Sequence, residues 1–182
     1  MLYIMRHGRT DWNAKHKLQG RTDIPLNDEG RRMAAEAKEN YRDVHFDVCF
    51  CSPLVRAKET AQIFLEDREI PVIYDDRLME MCFGSFEGIE NSFDIPDCPI
   101  NTFFWQPEEY KAPAGAESME ELYARTGEFL EEKVQPLLEQ GKDVLIIGHG
   151  AMNSSIVCQV KQEPVSRFWS EGIENCKLLK LC

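Results

Sequence analysis

The stretch MLYIMRHGRTDWN, residues 1–13, decides how this chain is read. Met1 to Met5 form an apolar run too short for a helix, and the run ends at Arg6-His7-Gly8. Such a run, closed by a glycine, predicts a buried strand feeding a loop. The pattern returns near the other end, where Asp143 to Ile147 (DVLII) runs into Gly148-His149-Gly150. Two of the four histidines therefore stand at matching strand ends, each beside a glycine that lets a ligand approach the backbone. His16 and His45 lie in polar or connecting sequence and lack that setting.

Between these ends, strand and helix patterns alternate. Asn27 offers an N-cap to an amphipathic helix carrying Met33, Ala37, Tyr41 and Val44. Phe46 to Cys51 predicts a second strand, closed by Ser52-Pro53 and followed by a helix with Ala57, Ala61, Ile63, Phe64 and Leu65 that stops before Pro71. Val72 to Tyr74 makes a third short strand. Ser118 and Glu121 form a capping box ahead of the stripe Met119, Leu122, Thr126, Phe129 and Leu130, which Pro136 is expected to kink or end. A helix with Met152, Ile156, Val157 and Val160 follows the DVLII strand, and Cys176 to Leu181 reads as a closing strand. The expected fold is α/β: a three-layer sandwich with a mainly parallel central sheet and helices on both faces. At 182 residues, one domain spanning 1–182 is expected.

One region breaks the rhythm. Residues 89–116 hold Pro96, Pro99, Pro107 and Pro113 together with Phe103-Phe104-Trp105, and show no periodicity. A stretch this long without a repeat reads as a lid-like binding insertion or as a tethered excursion whose aromatics pack on the body. The two readings are compatible.

Bulk charge narrows the partners. The formal net charge of -11 argues against nucleic acid, which is held by a surplus of Lys and Arg, and against anionic membranes. A phosphate ligand then requires positive charge concentrated in one pocket, and Arg6, His7 and Arg9 lie together in an otherwise acidic chain. The seven cysteines include no C-x-x-C pair, and Cys49 and Cys51 share one face of a strand, so buried reduced thiols are the expectation. With no secretory pattern and no apolar stretch of membrane-spanning length, a cytoplasmic setting is expected.

Arginines beside the paired histidines disfavour a bound metal, since they repel a cation. They suit attack by a neutral imidazole on phosphorus, giving a phosphohistidine. Phosphoryl transfer spreads charge over the equatorial oxygens, and arginine holds two of these at once. Arg6 and Arg56 are the candidates, Arg56 alternatively being a solvated helix residue. A general acid is also required; Glu80, in LMEMCFGSFEG, stands in a suggestive position that spacing alone cannot select among 32 acidic residues.

RHGRTDWN (6–13) resembles the signature of the histidine phosphatase superfamily, the phosphoglycerate mutase-like proteins. QGRTDIPLNDEG (19–30), SPLVRAKET (52–60), EMCFGSFEG (80–88), PAGAES (113–118) and GHGAMN (148–153) follow in the family's order and span essentially the whole chain. The resemblance implies His7 as the phosphorylated nucleophile, Glu80 as proton donor, and Arg6, Arg56 and His149 as the rest of the phosphate pocket. It also implies Thr10, Asn13, Gln19, Gly20 and Gly150 as residues approaching phosphate or substrate, with no metal and no organic cofactor. Phosphoglycerate mutases carry an arginine pair after the glutamate motif, whereas here only Lys111 is basic between Arg77 and Arg125. Hydrolysis of a small-molecule phosphomonoester is therefore expected, ahead of mutase-type transfer or a non-catalytic phosphate-binding module. Size and the FGSFEG motif are most similar to alpha-ribazole phosphatase-like and broad-specificity members, and the aromatic insertion implies a less polar substrate body than a sugar bisphosphate.

Overall fold

The computed structural model describes residues 1–182. In chain order the elements are β1 (Leu2–Arg6), α1 (Asp11–Ala14), α2 (Asp28–Asn40), β2 (Val48–Cys51), α3 (Val55–Phe64), β3 (Val72–Tyr74), α4 (Asn101–Trp105), α5 (Met119–Phe129), α6 (Gln135–Glu139), β4 (Val144–Gly148), α7 (Gly150–Lys161) and β5 (Leu178–Lys180). The sheet order is β3-β2-β4-β1-β5, with β5 antiparallel to β1 and every other pair parallel. Every residue of β2 and β4 is buried, as their unbroken apolar runs require of central parallel strands. The edge strands β3 and β5 are short and half-exposed.

Helices cover both faces. On one, Ala34 and Ala37 of α2 and Ala57, Ala61 and Phe64 of α3 pack with Met5, Cys49, Cys51 and Ile147. On the other, Phe129, Val134, Ile156 and Val157 from α5 to α7 pack with Leu2, Ile4, Val144 and Ile146. Asn27 caps α2 by accepting from Gly30 N, and the Ser118–Glu121 capping box is formed in both directions. The interruption expected at Pro136 takes a specific form. After α5 the chain widens into a π-helical turn at Leu130–Val134, and α6 begins with Pro136 in its first turn, where a missing N–H is tolerated.

The irregular 89–116 segment is sewn to the body by a third apolar cluster. Cys98, Ile100, Phe103 and Tyr110 from the segment pack with Met81, Phe83, Leu122, Ala151 and Phe168. Trp169 adds a hydrogen bond from Nε1 to Phe103 O at 3.0 Å. All seven cysteines are free thiols, and burial pushes the thiols of Cys51 and Cys176 up to about 12. No helix is long and apolar enough to cross a membrane.

Candidate active site

Strand register brings the two histidines together. Arg6 in β1 stands opposite Gly148 in β4, so His7 and His149 emerge side by side from neighbouring parallel strands. His7 N donates to Gly148 O at 3.0 Å, and the two ring centroids lie 5.1 Å apart. The third contributor is β2, whose end carries Ser52 and leads into α3 with Arg56 in its first turn. This is the carboxyl end of a parallel sheet, where open α/β proteins bind ligands. Gly8 is needed at this corner, because a Cβ there would stand 2.5 Å from Gly30 O where α2 crosses the loop.

Hydrogen bonds fix which nitrogen of His7 carries the proton. Its Nδ1 lies 2.6 Å from Gly8 O, which only accepts, so Nδ1 carries the proton and Nε2 presents a lone pair. Burial, reinforced by Arg56 and Arg6, holds the imidazole well below the usual histidine range and keeps it neutral. His149 is likewise shifted down, chiefly by burial and then by Arg56. Its Nε2 is 2.7 Å from Ser52 Oγ, while its Nδ1 is buried without a partner. Ser52 Oγ already accepts from Leu54 N, so its hydroxyl proton is available to His149 Nε2. In the tautomer whose Nε2 accepts that proton, Nδ1–H of His149 is left as an unused donor.

Arg56 is fully buried. Its Nη1 donates to Thr22 O at 3.0 Å, its Nη2 to Gly20 O at 2.6 Å, and its Nε points at His7 Nε2 at 3.3 Å. Burial brings its pKa down to about 10, with Glu80 working in the opposite direction, so the guanidinium stays charged near neutrality. It is not the solvated helix arginine that sequence alone allows. Arg6 donates through Nη1 to Ile173 O, while its Nε is buried without a partner. Two buried unpartnered nitrogens, Arg6 Nε and His149 Nδ1, beside the His7 lone pair are the expected donor set for a tetrahedral oxyanion.

Glu80 sits at the N-terminus of α7. Its Oε1 accepts from Met81 N and Met152 N at 2.9 and 3.0 Å, and its Oε2 accepts from Ala151 N at 3.2 Å. Gly150 brings the helix close, since a Cβ there would lie 3.5 Å from Arg6 Cζ and 3.7 Å from Glu80 Oε2. The other glutamate of the motif does something different. Glu87 takes Arg21 N and Phe83 N on Oε1, and Thr22 N and Thr22 Oγ1 on Oε2. Its carboxylate is thus spent on the loop whose Gly20 and Thr22 carbonyls clamp Arg56. Gly20, at φ +55°, has no room for a side chain there, because a Cβ would meet Glu87 Oε1 at 2.1 Å.

A cavity of about 320 Å³ opens at this point. Arg6, His7, Arg56, Glu80, Asn13, Gln19, Gly20 and Gly150 from the sequence analysis all line it, and His149 lies directly behind, in contact with His7. Thr10 does not reach it. The Thr10 side chain caps α1, accepting from Asn13 N at 3.1 Å, and donates to Gln19 Oε1 at 2.8 Å. The cavity also recruits residues outside the motifs, His16, Lys17, Phe93, Phe104 and Trp169 among them, and Phe83 from within EMCFGSFEG. No periodicity or motif marks His16 or Trp169, which arrive through the turn after α1 and the segment after α7.

A sequence model of the histidine phosphatase superfamily (branch 1) matches residues 2–182. The chain belongs to this superfamily. It is an α/β enzyme of the histidine phosphatase type, with a phosphoglycerate mutase-like fold. Among its relatives, the 2,3-bisphosphoglycerate-dependent phosphoglycerate mutase 2 of Gloeobacter violaceus is 31% identical over 180 residues, covering 97% of this chain and 82% of the mutase. The uncharacterized phosphatase PhoE of Bacillus subtilis is 35% identical over 157 residues, covering 86% of this chain and 75% of that protein. The alpha-ribazole phosphatase of Shigella flexneri superposes with a TM-score of 0.82 at 25% identity, covering 97% of this chain and 87% of the other.

Proposed function

We propose that this enzyme hydrolyses a small phosphomonoester through a phosphohistidine at His7, with Glu80 as general acid and without metal. The observation that carries the proposal is the meeting of the His7 Nε2 lone pair with the Arg6 and Arg56 guanidinium groups at one end of one cavity, with His149 packed directly behind His7.

In the first step Nε2 of His7 attacks phosphorus while the bond from phosphorus to the leaving oxygen breaks. Glu80 in its acid form gives its proton to that oxygen, so a neutral alcohol departs. Arg6, Arg56 and His149 hold the equatorial oxygens, whose charge is greatest midway through the transfer. In the second step water attacks the phosphorus, the P–N bond breaks, and the Glu80 carboxylate takes a proton from the water. Inorganic phosphate leaves and His7 is neutral again. The same guanidinium groups that hold phosphate repel a divalent cation, so a chelator leaves turnover intact.

Hydrolysis is favoured over mutase-type transfer by the rest of the cavity. A substrate carboxylate or second phosphate needs its own cations, and Lys111 does not line the site. Lys17 does, but its Nζ is already 3.8 Å from Glu90 Oε2. A phospho-enzyme without a grip on a second anion is exposed to water rather than to a returning acceptor.

Alkaline quenching during turnover of an aryl phosphate should trap a base-stable phosphoprotein that is lost on later acid treatment in the parent enzyme, and none in His7→Ala. Turnover surviving in His7→Ala ends the proposal. Glu80→Gln should slow alkyl phosphates far more than an aryl phosphate, whose leaving group needs little protonation. Supplying 3-phosphoglycerate with a bisphosphoglycerate primer should yield phosphate and no 2-phosphoglycerate.

A further inference from the structure

The cavity has two unlike ends. Beyond the phosphate-binding groups its wall is built from Phe83, Phe93, Phe103, Phe104 and Trp169. Phe104 and Trp169 stack, with centroids 5.7 Å apart and planes 18° from parallel. Phe93 and Trp105 form a second stacked pair at 5.3 Å and 21°. That second pair stands at the rim with Phe93 51% and Trp105 66% exposed, although large apolar side chains elsewhere on the chain are mostly buried. An exposed stacked pair continuous with an apolar cavity wall marks a place where apolar ligand surface is covered.

Charge at this end is already neutralised. Lys17, which with Arg6 and Arg56 makes up the lysines and arginines of the lining, faces Glu90. The remaining polar lining is Asn13, His16, Gln19, Asn91 and Ser92, which supplies hydrogen bonds but no strong countercharge. A cavity of about 320 Å³ lies at the small end of the range for ligand sites, about 300–1,000 Å³.

Building on the hydrolase reading above, we propose that the preferred substrates are phosphomonoesters of alcohols with a flat, uncharged body, which Phe93, Phe104 and Trp169 hold. A second anion on the substrate would enter a space lined by aromatic rings and carboxylate-paired lysine, inside a chain of net charge -11. Its desolvation has no compensating partner there. A flat apolar body instead gains contact with ring faces already set at stacking angles.

The test compares 2-naphthylmethyl phosphate with glycerol 3-phosphate and 3-phosphoglycerate. All three release an alkyl alcohol, so the demand on Glu80 is matched. The expected result is a kcat/KM at least tenfold higher for the naphthylmethyl ester, carried mainly by KM. Phe93→Ser, at a half-exposed position, and Phe104→Leu, which keeps an apolar side chain of similar bulk, should each cut that preference at least threefold. Equal or reversed preference overturns the substrate class while leaving the hydrolase reading intact. A preference that both variants leave unchanged overturns the assignment of the aromatic wall. If neither these esters nor an activated aryl phosphate is hydrolysed, the hydrolase reading fails and takes this inference with it.

Discussion

The two ends of the cavity are built by different means. The phosphate end rests on strand termini, where register alone sets His7 beside His149, and hydrogen bonds fix each remaining group to a definite partner. The aromatic end comes from a segment without periodicity and from the turn after α7, held by ring-on-ring packing and one Trp169 hydrogen bond. Backbone ladders tolerate little displacement, whereas packed side chains rearrange when their volume is kept. On the proposed reading, chemistry that needs atoms placed within a fraction of an ångström sits on the first, and discrimination between substrate bodies falls to the second.

Four experiments can break or sharpen this contrast, taken from the largest expected effect down. Phe103 is fully buried and touches Phe83, Phe104, Tyr110, Phe168 and Trp169. Phe103→Ala should cost about 3–5 kcal/mol of stability in denaturant unfolding, the usual range for emptying such a site. Inorganic phosphate should still protect the folded variant, because its phosphate end is intact; loss of that protection would mean the two ends are one unit. Arg56→Ala, at the other end, should slow the chemical step about 10²–10³-fold in single-turnover measurements, the range for removing one preorganised donor.

Glu87→Gln probes the support beneath that arginine. The amide keeps one acceptor oxygen and turns an N–H₂ towards donors, loosening the loop that clamps Arg56. A kcat loss of about 10–100-fold with KM little changed is expected, in line with the effect of small misplacements near a reacting group. Glu87 is a positioning residue here, since both its oxygens are spent on Phe83, Arg21 and Thr22. If Glu87→Gln instead matched Glu80→Gln in sparing aryl phosphates, the assignment of the acid would move to Glu87.

The smallest effect is a pH slope. His7 and His149 both titrate well below 6.5 in the fold, burial being the main cause. The unfolded chain therefore binds more protons than the folded one below about pH 6.5, so stability is fully present above that value and falls as pH drops towards the folded pKa values. Each imidazole contributes at most about 1.4 kcal/mol per pH unit within that window. His7→Ala should flatten the slope of unfolding free energy against pH between 5 and 6.5 by about that amount. An unchanged slope would show that His7 binds protons in the fold as it does in the unfolded chain.

Particular residues mark how far sequence reading reached. The sheet and both helical layers were legible because apolar runs and 3.6-residue stripes report directly on which side of an element is buried. His7, Arg6, Glu80, Gln19 and Gly150 were legible from ordered motifs, and the structure places all five on one cavity. Thr10 shared a motif with them yet serves as a helix cap, because a hydroxyl beside a free helix N-terminus has a nearer partner than the cavity. Glu87 was indistinguishable from Glu80 as a carboxylate; only the cavity, which Glu80 lines and Glu87 does not, separates their uses. Trp169 and His16 carried no local signal at all.

The amino-acid sequence by itself determined the α/β layering, the strand-end histidines and the local surplus of arginine, since each depends on residue type and spacing along the chain. Tertiary structure alone decided which nitrogen of His7 bears the lone pair, which glutamate lines the cavity, and that the irregular segment furnishes an aromatic wall. Those outcomes depend on contacts between residues far apart in sequence, such as Glu80 with Met152 and Phe103 with Trp169, and no pattern along one stretch of chain encodes its distant partner.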